Sequence, residues 1–90
     1  MFEEILEFRG VALQQIQLYL KELGGERLNN HFPIRYQAEN WIVFILCEEE
    51  ISFTTAFKVN SVKIKFSANS EEQLNDVITN FRKKSFRAGG

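Results

Sequence analysis

The 90-residue sequence has one cysteine, one histidine, one proline and one tryptophan. A single thiol excludes an internal disulfide, and one thiol with one imidazole excludes a self-contained Cys/His zinc site. The longest uninterrupted apolar run, residues 41–47, is seven residues long, far short of the roughly 20 that a membrane-spanning helix needs. No basic stretch leading into an apolar one opens the chain, so nothing points to export or to a membrane, and the cytoplasm is the expected location. Neither sign of charge is in excess: 11 Lys and Arg stand against 12 Asp and Glu, which leaves no global field for nucleic acid. A glycine-rich phosphate loop, a Ser/His/Asp set and a spaced carboxylate pair are all missing, so no catalytic constellation is legible and no cofactor is expected. The chain reads as a non-enzyme.

What is present is an ordinary globular balance, 44% hydrophobic and 26% charged, in a length that suits one domain over residues 1–90. A chain of this mass folds to about 5,400 Å² of surface and buries a little under two-thirds of what it exposes when extended. Nine phenylalanines promise either an aromatic-heavy core or an aromatic-rich surface.

Residues 2–9 alternate Ile5, Glu7 and Arg9 with Leu6 and Phe8, a first strand ended by Gly10. Leu13, Ile16, Leu20 and Leu23 follow helical spacing and predict a helix over residues 11–23, stopped by Gly24-Gly25. After a polar connector, residues 31–36 alternate as a strand that Pro33 confines to a sheet edge or a bulge. The run 41–47 is a strand apolar on both sides and therefore central. Glu48-Glu49-Glu50 reads as a tight turn, residues 51–58 as a strand, 59–61 as a second turn and 62–67 as the last strand. Ser70 and Gln73 have capping-box spacing ahead of Leu74, Val77, Ile78 and Phe81, a second helix with fraying expected over residues 85–90. The fold class is α+β: a two-layer sandwich in the order β-α-β-β-β-β-α, one antiparallel sheet with two helices on one face.

Isolated chemical groups have plain readings. His31 has no partner at a recognisable spacing, Cys47 is an inert thiol beside three glutamates, and three adjacent glutamates in a turn cannot converge on a cation. Charge is nevertheless segregated: residues 1–50 carry nine acids and four bases, residues 51–90 three acids and seven bases. Lys63 and Lys65 on a late strand, and Arg82 and Lys83 on the last helix, are candidate contacts for an anionic protein partner. Two short helices cover one face of a small sheet, so half of the central strand must face outward. With Ile42, Phe44 and Leu46 assigned to the helices, Trp41, Val43 and Ile45 become the outward, partner-binding set; the reverse assignment is the alternative. A bare face of that kind suits a second copy or a β-rich partner, unless the termini, with Phe2 and Phe86, fold over it. The terminal Gly89-Gly90 pair meets the chemical requirement of a ubiquitin-like sulfur carrier, whose carboxylate must enter a narrow adenylating channel. One strand before the first helix, where such carriers have a hairpin, departs from their pattern.

The element order is that of the TATA-binding-protein-like fold. The stretches Leu6-Glu7-Phe8-Arg9-Gly10-Val11, Tyr19-Leu20-Lys21-Glu22-Leu23-Gly24-Gly25, the Trp41 strand, and Phe81-Arg82-Lys83-Lys84-Ser85-Phe86-Arg87-Ala88-Gly89-Gly90 resemble the C-terminal domain of MoaD-related proteins, relatives of the small subunit of molybdopterin synthase. In such proteins a β-grasp carrier precedes this domain, and here the resemblance begins without one. It implies a small accessory domain in molybdenum or tungsten cofactor assembly or sulfur transfer, in a prokaryotic cytoplasm, with a β-grasp sulfur carrier or a cofactor-assembly enzyme as partner. It carries over no catalytic residue.

Overall fold

Eight residues of alternating polarity open the chain as strand β1 (Phe2–Arg9), with Leu6 and Phe8 turned toward the core. The computed structural model describes residues 1–89, with side chains as far as Phe86. Helix α1 (Leu13–Glu22) begins after Ala12, which offers no capping side chain. It ends in a Schellman motif: Gly25 N–H donates to the Leu20 carbonyl at 2.9 Å and Gly24 N–H to the Lys21 carbonyl at 3.0 Å. Gly24 supplies the left-handed residue that this motif needs, at φ 97°. Gly25 has a different reason to lack a side chain. A Cβ there would stand 2.5 Å from the Trp41 ring.

Strand β2 (Glu26–Arg27) lies in what reads from sequence as a polar connector, and β3 (Ile34–Gln37) starts after Pro33 rather than containing it. Beyond the two-residue β2, Asn29 takes over its pairing. Its Oδ1 accepts from Arg35 N–H at 2.8 Å and its amide donates to the Pro33 carbonyl at 3.0 Å. Strand β4 (Trp41–Ser52) is twelve residues long and runs straight through Glu48-Glu49-Glu50. The expected acidic turn is therefore part of a strand, and the chain reverses instead at residues 53–57 before β5 (Lys58–Ala68). Like charges on consecutive residues are tolerated there because that end of β4 is exposed, so each carboxylate keeps its water.

Helix α2 (Glu71–Gly89) opens with half of the expected capping box: Gln73 N–H donates to Ser70 Oγ at 3.1 Å, while the buried Gln73 Oε1 has no partner. It continues well past residue 84, where fraying is expected from sequence. Ser85 is buried, and Lys84 Nζ reaches Glu22 Oε1 of α1 at 3.2 Å. Both contacts tie the last turns to the body.

All strand pairs are antiparallel, in the order β1-β5-β4-β3-β2, which puts β4 at the centre as its composition requires. The order β-α-β-β-β-β-α and the α+β class agree with the sequence reading. Ile16, Tyr19 and Leu20 of α1 and Leu74, Val77, Ile78 and Phe81 of α2 form one core with a single alternating set of strand residues, Val43, Ile45, Val62, Ile64 and Phe66 among them. Both helices therefore lie on one face. Phe81 is its hub, edge-on to Phe8 at 5.0 Å, Phe66 at 5.5 Å and Tyr19 at 5.9 Å.

Candidate functional site: the outer sheet face

The register decides which half of β4 faces outward. Val43 stands opposite Phe66 and Ile45 opposite Ile64, and all four are fully buried. Trp41, only 9% exposed, lies opposite Ala68 on the same side. Trp41, Val43 and Ile45 are thus core residues rather than a partner-binding set, and the reverse assignment holds. Ile42 and Phe44, opposite Ser67 and Lys65, face away from the helices and are half-buried. At Leu46 a bulge inserts one extra residue, so that Cys47 and not Leu46 stands opposite Lys63. Composition of β4 alone leaves both sets open because both are apolar. The signal lay in its neighbour: Lys63 and Lys65 mark the wet side of β5, and the residues opposite them must share it.

Phe44 is the centre of this face. Lys65 Nζ lies 4.9 Å and Arg35 Cζ 5.7 Å from its ring centroid, one cation from each flanking strand. Lys65 also meets Glu3 Oε2 at 3.5 Å. Further along β1, the carboxylate of Glu7 accepts from the Ser61 hydroxyl and from Arg9 Nε. Those two bonds, the Ser61 bond foremost, hold Glu7 below the usual carboxylate range. The face is an apolar strip of Ile42 and Phe44, followed past the bulge by Cys47, flanked by cations on β5 and β3, with carboxylates on β1 beyond. The termini do not close it: Phe2 stands opposite the core residue Ala68, and Phe86, 81% exposed, belongs to the helix layer.

The candidate basic residues do not come together. Lys63 and Lys65 lie on the outer face, whereas Arg82 and Lys83 are exposed on α2 in the opposite layer. Lys58 is elsewhere again, 3.6 Å from Glu50. Gly89 ends α2, and Gly90 lies outside the described residues. His31 is exposed and Cys47 is a half-buried free thiol. Among the described residues no group of three or more His, Cys, Asp or Glu side chains could hold a metal ion, and no helix is long and apolar enough to cross a membrane.

A family model described as archaeal MoaD-like protein matches residues 4–90. The chain belongs to that family. The match spans β1 through α2, so the MoaD-like chain carries the family's pattern over its whole fold and not at one motif. No curated protein matches the MoaD-like chain.

Proposed function

We propose that this MoaD-like protein is a non-catalytic accessory protein of molybdenum or tungsten cofactor assembly, or of the sulfur transfer that serves it, and acts by binding another protein. The observation that carries the reading is the outer face of the sheet. An apolar strip with Phe44 between two cations is left without a covering helix, and a surface of that kind suits a protein partner better than a small substrate. Family membership supplies the context. A β-grasp sulfur carrier or a cofactor-assembly enzyme is the partner that fits it. The partner's surface would be apolar at its centre and would place a carboxylate against Lys63 or Lys65. Co-purification with such carriers and enzymes from the native host tests this. Phe44→Glu should abolish the complex while leaving the circular dichroism spectrum unchanged. A complex that survives that substitution would remove the outer face from the reading.

The alternative is a sulfur carrier acting through Gly89-Gly90. The glycine pair supports it, although α2 is helical to Gly89, so the last turn would have to unwind before it could thread a narrow channel. Mass spectrometry of the protein from its host distinguishes the two. A carrier shows the mass gain of one oxygen-to-sulfur exchange at the terminal carboxylate, and its activity ends when the two glycines are deleted.

A further inference from the structure

Helix α1 carries a polar stripe on the flank that borders the last strand of the sheet. Gln14, Gln17, Leu18 and Lys21 fall at i, i+3, i+4 and i+7, one row along the helix. Together with Arg27 of β2 and Tyr36 of β3 they line an open groove of about 560 Å³. The strand register sorts the far wall of this groove. Arg27 stands opposite Tyr36, a core residue only 5% exposed, so the Arg27 side chain lies on the helix side of the sheet. Glu26, which also borders the groove, stands opposite Gln37, and the alternation of a strand turns its carboxylate to the other face.

What remains on the groove is rich in donors. Lys21 and Arg27 have no ion-pair partner among the described residues, and Gln14 and Gln17 carry amide N–H groups. Tyr36 stands close to two of these groups. Burial pushes its phenol above the ordinary range, while the Arg27 charge and the Gln17 amide pull the other way. The phenol therefore keeps its proton and can donate it. Leu18, 46% exposed, adds an apolar wall. Two unanswered cations at one place stand out in a chain whose formal net charge is -1.

We propose that the groove between α1 and β2 binds a small organic phosphate, a monoester whose dianion is held by Lys21 and Arg27 and whose apolar body lies against Leu18. Size agrees, because small-molecule sites run from roughly 300 to 1,000 Å³. Charge selects the head group. A phosphate monoester carries roughly -1.5 to -2 near neutral pH and answers two cations, whereas a carboxylate leaves one of them over. The arginine fork can take two phosphate oxygens at once, and lysine adds a point charge. The Tyr36 hydroxyl and the Gln17 amide remain for the other oxygens. A nucleic-acid strand is a poorer occupant, since it needs cations tracking its backbone and the groove offers two at one place. The site lies on the helix side of the sheet and is separate from the Phe44 face.

Calorimetry of the full chain with phenyl phosphate, benzoate and inorganic phosphate as probes tests the proposal. Phenyl phosphate should bind with a dissociation constant of about 1 mM or below. Benzoate should bind about tenfold more weakly, for want of the second charge. Inorganic phosphate should also bind more weakly, for want of an apolar body. Lys21→Gln and Arg27→Gln should each weaken phenyl phosphate binding by about tenfold, and the two together should remove it. Both positions are exposed, so the variants keep the fold. In an NMR titration the amide signals of α1, β2 and Tyr36 should shift, and those of the Phe44 face should not. No binding of phenyl phosphate up to about 10 mM, or binding that survives loss of both cations, overturns the site. Benzoate binding as tightly as phenyl phosphate overturns the choice of phosphate, and inorganic phosphate binding as tightly overturns the organic body. Phe44→Glu should bind phenyl phosphate as the unaltered protein does, so failure of this site and failure of the proposed function are told apart.

Discussion

Strand β4 has two sides of nearly equal hydrophobicity and very different fates. Val43 and Ile45 meet helices and are fully buried, while Ile42 and Phe44, one residue away, meet lysine, arginine and serine side chains and stay half-exposed. What a residue contributes to stability is thus set by what stands opposite it rather than by its own polarity. The inner side is a closed packing problem. The outer side is held open by cations lying across an aromatic ring.

Substitution at the hub of the inner side should have the largest effect. Phe81→Ala removes three edge-to-face contacts from a fully buried site and should cost about 3–5 kcal/mol in chemical denaturation. Gly25→Ala pushes a methyl group into the Trp41 ring and to 2.9 Å from the Leu20 carbonyl oxygen and should cost about 1–3 kcal/mol, relieved only in part by a smaller residue at position 41. On the outer side Phe44→Ala should cost only about 1 kcal/mol, most of it the lost attraction to Lys65 and Arg35. A cost as large as that of Phe81→Ala would erase the distinction between the faces. Tyr19→Phe runs the other way. The Tyr19 hydroxyl is buried without a partner, so its removal should stabilise by about 1 kcal/mol, visible as a raised denaturation midpoint.

The smallest expected effect is one of pH. Because Glu7 is held below its ordinary value in the folded protein, its contribution is present above the unfolded carboxylate value and fades as pH falls through the lowered folded one. Glu7→Gln should flatten the acid limb of a stability–pH profile, with little change at neutral pH. An unaltered acid limb would mean that the Ser61 bond does not bias protonation.

Helices were the most legible elements, since the spacing of Ile16 and Leu20, and of Leu74, Val77, Ile78 and Phe81, has one reading. The central place of β4 followed from its two-sided apolar run. Its facing did not, because a period-two pattern in one strand names two sets without choosing between them. The choice rested on lysines twenty residues away. Glu48-Glu49-Glu50 misled for a related reason: three carboxylates read as a turn when a strand is assumed to be covered, whereas here the strand has outrun its neighbours. That error placed Phe53 and Phe57 in a strand over residues 51–58, whereas they belong to the turn between β4 and β5. Arg82 and Lys83 were visible as charges, but their separation from Lys63 and Lys65 by the thickness of the molecule was not.

The outermost pairing of the sheet joins Phe2 to Ala68, and the core ring of Phe8 waits for Phe81. During synthesis β1 therefore emerges long before either of its partners exists, and it cannot be sheltered by anything made soon after it. Closing so long a loop is entropically slow. The native state should thus assemble around the β4–β5 hairpin, with β1 added afterwards and α2 arriving last as a latch. A chain cut short before Phe81 would hold most of the strands and still lack the side chain that locks them. For this fold, the turns of α2 that carry Phe81 decide whether β1 has anywhere to go.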